Sequence, residues 1–323
     1  MFGLPQAGIL ANQLLRTKLS PHGYRPVPIT PGLWKHDKRD LYFALVVDDF
    51  GIKYTNRSDA EHLMNTLSTF GYKVSSQDWG GTRYCGLTLA WDYPARHVTI
   101  SMPGYVERAL QRFQHTTAPT RHEPSPHAWN QPQYGAKIQY TQMPDETPFL
   151  NAANKTHVQM VLGTFLFYTR TVDVTMLKAI GTTLATQQSN PTEGTMNGIT
   201  KLLSYAASNP NAELRYYTNA MILWIDSDAS YLSEPKFRST CAGYHFLSNR
   251  PHDEPNRPLQ PHDVEPMLHN APVYVVMCNI MKEVVSAASE AAELAGLFHN
   301  EKKHAPSASA SKNLDTHNHQ QHL

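Results

Sequence analysis

Two acidic constellations mark where this chain could do chemistry. In Val46-Val47-Asp48-Asp49-Phe50, two adjacent carboxylates stand between apolar runs. Neighbouring carboxylates repel unless something cationic lies between them. A hard divalent ion meets that need, because Mg²⁺ takes one or two carboxylates together with substrate phosphates. Nucleotidyl transfer uses two such ions, Mg²⁺ or Mn²⁺, about 3.5–4 Å apart. The plain alternative is a polar hairpin turn, since Asp is a common turn residue. The second constellation is Ile225-Asp226-Ser227-Asp228-Ala229-Ser230. Further along, Glu290 and Glu293 fall within Ser286-Ala287-Ala288-Ser289-Glu290-Ala291-Ala292-Glu293. Three residues apart on a helix, they share nearly one face, whether that face meets a metal or only solvent.

The elements that must position these groups follow from periodicity. Ala7 to Leu19 carries Leu10, Leu14 and Leu15 on a helical stripe, closed by His22-Gly23. Leu41 to Val47 is a continuous apolar run of strand length, and Phe50 to Tyr54 resumes with strand propensity. Two such runs joined by an acidic pair predict a hairpin with both carboxylates at its tip. Ser58 with Glu61 predicts a capping box opening a helix to about Phe70. Strands are expected at 84–91 and 97–101, and Pro103 opens another amphipathic helix through Phe113. Prolines 119, 124, 126, 132, 144 and 148 mark a linker or surface-hugging segment. Helices are expected at 157–168, 175–187 and 195–208, the last stopped by Asn209-Pro210. Strands at 214–218, 221–225, 240–247 and 272–277 surround a Pro/His-rich loop at 250–270, and 283–298 reads as a helix.

Composition narrows the classes. A length of 323 residues permits two or three domains, and 28 Lys+Arg against 27 Asp+Glu excludes a bulk polycation while leaving room for a local basic groove. No apolar run approaches the ~18 residues of a membrane helix, and Met1 to Pro5 lacks the features of a secretory signal. Cys85, Cys241 and Cys278 are an odd, widely spaced set that forms neither a disulfide framework nor a zinc motif. An intracellular location, cytoplasmic or nuclear, is expected. His317, His319 and His322 lie in a polar tail and are assigned no role.

From Phe2 to Phe113 the chain resembles the C-terminal part of a reverse-transcriptase palm from a copia-type LTR retrotransposon. Phe2-Gly3-Leu4-Pro5-Gln6-Ala7-Gly8 resembles the motif that supports template and incoming nucleotide. Val46-Val47-Asp48-Asp49 resembles the Tyr-x-Asp-Asp box, with Val46 in place of Tyr. Tyr84-Cys85-Gly86-Leu87 resembles the primer-grip hairpin, and Ser101-Met102-Pro103-Gly104-Tyr105-Val106 the start of the thumb. The four occur in the family's order. Downstream, Val161 to Leu166 and Leu202 to Tyr205 resemble the family's connecting region, and the strand bearing Asp226-Ser227-Asp228 resembles the first strand of a retroviral-type ribonuclease H. Asp226-Ser227-Asp228 also fits the Asp-x-Asp of nucleotide-sugar transferases. It lacks the Gly of an aspartic-protease loop.

The resemblance implies an α+β protein: a partial palm and thumb start (1–115), a Pro/His/Gln-rich linker (116–154), a helical connection (155–212), a partial ribonuclease H-like unit (213–300) and a disordered tail (301–323). It implies metal ligation and catalysis by Asp48 and Asp49, and by Asp228 with Glu290 or Glu293. It assigns Gln6, Tyr84, Cys85 and Gly86 to primer and substrate, with Mg²⁺ or Mn²⁺ as cofactor. The expected partners are a primer–template or RNA–DNA hybrid and deoxynucleoside triphosphates, with no membrane. A palm also needs a third carboxylate from a strand preceding the Gln-Ala helix, and the family's third ribonuclease H carboxylate lies on a later strand than Asp315. Both sites are therefore expected to be incomplete. The rival is a non-catalytic nucleic-acid-binding relic that grips a duplex through Arg108 and Arg112.

Overall fold

The computed structural model describes residues 6–28, 30–115, 121–128, 145–184, 187–234, 238–248 and 270–279. The expected helix at 283–298, with Glu290 and Glu293, lies outside them, as do Phe2 to Pro5, most of the 250–270 loop and the tail. Helices and antiparallel strand pairs make the chain α+β, and its contacts divide it into two units, 1–89 and 90–302.

In the first unit, α1 (Ala7–Leu19) leads into four strands: β1 (Tyr24–Pro26), β2 (Leu33–His36), β3 (Leu41–Val46) and β4 (Asp49–Tyr54). They pair antiparallel in sequence order, with Leu33 opposite Ala44 and Phe43 opposite Ile52. Then follow α2 (Arg57–Thr69) and a short hairpin of β5 (Arg83–Tyr84) with the start of β6 (Leu87–Asp92), a strand that runs past the unit's last residue, Leu89. The sheet forms because Trp34, Leu41 and Phe43 need cover, and Leu15, Leu19, Leu63 and Leu67 from the two helices supply it. Trp34 stacks on Phe43 with ring centroids 5.5 Å apart. Each fully buried side chain of this size contributes roughly 1.5–3 kcal/mol relative to exposure.

The capping-box expectation fails. Helix α2 begins one residue before Ser58, its N-cap is Asn56, and no side chain caps it. Glu61 reaches back one turn to Arg57 (3.0 Å) instead of to the backbone, because a helical Arg at i−4 offers a charged partner on the same face.

In the second unit, β7 (His97–Ser101) pairs antiparallel with β8 (Glu213–Tyr217), Ser101 opposite Glu213. Between them lie α3 (Tyr105–Arg112), α4 (Ala152–Thr171) and α5 (Glu193–Ser208), packed through Leu110, Val161, Phe165, Ile199 and Leu202. Helix α4 starts within the expected linker, where the Asn151 side chain accepts from the Asn154 amide. The expected helix at 175–187 is instead a 3₁₀ turn at Val174–Met176 and a π-helical segment at Ala179–Leu184. Two β-branched pairs and a glycine in this stretch weaken a regular helix.

The last sheet is an antiparallel meander of β9 (Ile222–Glu234), β10 (Arg238–Ser248) and β11 (Pro272–Asn279), in spatial order β11-β10-β9. Strand β9 runs well past its expected end at Ile225. Asp226 and Asp228 therefore sit mid-strand, opposite Tyr244 and Ala242. Alternation explains the extension: both acids fall on exposed positions, where a strand tolerates charge.

Candidate functional site

The Asp48–Asp49 doublet does occupy the tip of the β3–β4 hairpin. Val46 pairs with Asp49, leaving Val47 and Asp48 as a two-residue loop. Val47 has φ +56° and Asp48 does not share the positive sign, which is the pattern of a type II′ turn. Such turns place Gly at the first central position. Here a β-branched residue occupies it, a true backbone outlier for its type. Val47 is 92 % exposed, so packing does not enforce the conformation. Asp48 and Asp49 are both exposed.

The hairpin resembling the primer grip closes against this turn. Tyr84 pairs with Leu87, so Cys85 and Gly86 form the loop, with φ +50° and +79°. Positive φ at both residues is the type I′ pattern, which matches strand twist and explains why Gly follows Cys85. The Tyr84 ring lies on β4: a Cβ added to Gly51 would meet ring carbons at 3.0 and 3.1 Å. The Tyr84 hydroxyl donates to the Ala44 carbonyl at 3.3 Å. The Cys85 thiol lies within electrostatic reach of Asp49, Tyr84 and Asp48. Burial pushes its pKa up, Tyr84 pulls it down, and the two carboxylates push the same way as burial. Burial likewise pushes up that of Tyr84, with Cys85 and Asp49 adding to it. Asp48, Asp49, Tyr84 and Cys85 thus come together from segments some 35 positions apart.

The remaining assignments are distributed. Gln6 is exposed and precedes α1, whose first-turn amide at Leu10 donates to the Gln6 carbonyl. Asp226 and Asp228 are exposed on β9, and Asp226 raises the pKa of Tyr244, second to burial. Among the described residues, no three His, Cys, Asp or Glu side chains form a group able to hold a metal ion. None of the described helices is long and apolar enough to cross a membrane. Sequence reasoning treated Asp49 and Cys85 separately. The signal that could have joined them was the Cys-Gly pair between Tyr84 and Leu87, a two-residue hairpin loop.

No family model matches the chain, and no solved structure matches it.

Proposed function

We propose that the chain is a fragment of a copia-type retrotransposon polyprotein: part of a reverse-transcriptase palm with the start of its thumb, then a partial ribonuclease H-like unit. Its ancestral chemistry would be two-metal nucleotidyl transfer. The observation that carries this reading is the contact of the acidic turn with the Tyr84–Gly86 loop. The two segments that resemble those motifs in sequence lie against each other, which supports reading them as parts of one site. The three-stranded meander carrying Asp228 on its first strand gives secondary support.

The donor chemistry suits a hard cation. Asp48 and Asp49 would hold Mg²⁺ or Mn²⁺ through carboxylate oxygens, and the ion would supply charge for phosphoryl transfer. Tyr84 to Gly86 would position a primer end, and Gln6 would brace nucleotide and template. Asp228, with Glu290 or Glu293, would serve the second site. Among the described residues two carboxylates stand at the turn, too few for a pair of ions, and the proposed site is incomplete on that count.

A primer-extension assay on an RNA template, with deoxynucleoside triphosphates and Mg²⁺ or Mn²⁺, tests this. Binding without extension is expected. Processive synthesis that Asp48→Asn abolishes would overturn the incompleteness, and absence of binding at low salt would overturn the retroelement reading. The second reading, a nucleic-acid-binding relic, is favoured by Arg108 and Arg112, exposed one turn apart on α3. It predicts salt-dependent hybrid binding with no metal-dependent cleavage of the RNA strand.

A further inference from the structure

His36, at the end of β2, is buried at 8 % exposure, and its ring does unusual work in the turn that follows. Its Nδ1 accepts two backbone amides, those of Lys38 and Arg39, each at 3.0 Å. A nitrogen that accepts carries no proton, so these bonds fix the neutral ring with its hydrogen on Nε2. The His22 carbonyl accepts from the ring as well. The ring stands edge-on to Tyr24 of β1 (4.7 Å between centroids) and to His62 of α2 (5.7 Å). One imidazole therefore ties together the turn at 37–40, the first strand and α2.

We propose that His36 is a proton-operated latch: the neutral ring holds the Lys38 and Arg39 amides and closes the β2–β3 turn, and the protonated ring releases them. A proton can only add at Nδ1, where it turns the acceptor of both bonds into a donor facing two donors. The cationic groups around it oppose that step. Arg39 follows it on the turn, and His62 faces it from α2. The anions within reach are already engaged: Asp37 by Arg25 at 2.8 Å, and Asp59 by Arg39 at 2.6 Å. The Tyr24 hydroxyl and His62 Nδ1 share a 2.7 Å hydrogen bond, so Tyr24 offers His36 only its ring.

Burial, then Arg39, holds the His36 pKa below its ordinary 6.5, against the opposing pull of the His22 carbonyl, Asp37 and Asp59. The latch therefore stays closed at neutral pH. An open cavity of about 570 Å³, lined by His36, Arg39, Asp59 and His62 among others, brings solvent to the ring. The sign follows from linkage. The unfolded chain takes up the proton near pH 6.5 and the folded chain at lower pH, so stability present above 6.5 is lost as pH falls through that window.

The test is amide hydrogen exchange by NMR on the full chain. Protection factors for Lys38 and Arg39, corrected for intrinsic pH dependence, should fall roughly tenfold between neutral pH and pH 5. In His36→Asn the side-chain oxygen keeps an acceptor near the place of Nδ1 and cannot take up the proton, so protection should become independent of pH. Should that variant not fold, imidazole ¹⁵N shifts of the wild-type chain read His36 protonation directly, and the two amides should follow its midpoint. Unchanged protection across the range, or amides that follow the midpoint of His62 instead, would overturn the latch.

Discussion

At the scale of single residues, the acidic turn is unusual less for its two carboxylates than for the valine beside them. A left-handed conformation costs a non-glycine residue about 1–2 kcal/mol, and Val47 bears that cost in full solvent exposure. Replacing it with glycine removes the cost but adds roughly 0.5–1 kcal/mol of unfolded-chain entropy. Val47→Gly should therefore stabilise the chain by about 0.5–1 kcal/mol, read as a higher urea midpoint at unchanged slope. A lower midpoint would mean the turn carries no strain. Little of this was legible in the sequence. Asp48-Asp49 between apolar runs gave away the hairpin and its tip, but the sign of φ at Val47 depends on strand pairing, which composition does not encode. The same holds for His36. No local pattern announces a histidine whose meaning lies in two amides of the following turn.

Elements were more readable than their ends. Helix α1 spans the expected residues, but of its spaced leucines only Leu15 is buried, with Leu19, while Leu10 and Leu14 are exposed; β3, β4 and β7 fall within a residue or two of their apolar runs. Misreadings arose where a tertiary partner changed the outcome. Strand β9 continues through its acids because β10 pairs with it along nearly its whole length. The strand expected at 84–91 is interrupted because the Cys85–Gly86 loop folds Tyr84 back on Leu87. That fold brings the hairpin onto β4, with the Tyr84 ring over Gly51. A methyl there would press on the Tyr84 ring. Gly51→Ala should cost about 1–3 kcal/mol by overpacking. Combining it with Tyr84→Ala should recover part of the loss, a coupling that a double-mutant cycle by denaturant titration will measure. Strictly additive losses would place the ring elsewhere than on β4.

For the whole molecule, each unit has its own apolar interior. Trp34, Phe43 and Leu63 anchor one, and Phe165, Ile199 and Leu202 the other. Among the described residues, the meander ends at β9, whose outer side no further strand covers. An edge strand of this kind is a template on which a neighbouring chain can add its own strand. Asp226 and Asp228, exposed along that edge, then act as guards, because two chains docking there would bring like charges face to face. Asp226→Asn together with Asp228→Asn should make light scattering rise with protein concentration at neutral pH, while the unsubstituted chain stays dispersed. The same carboxylates that resemble relics of metal ligation would, on this view, still serve the living protein by holding each copy apart from the next.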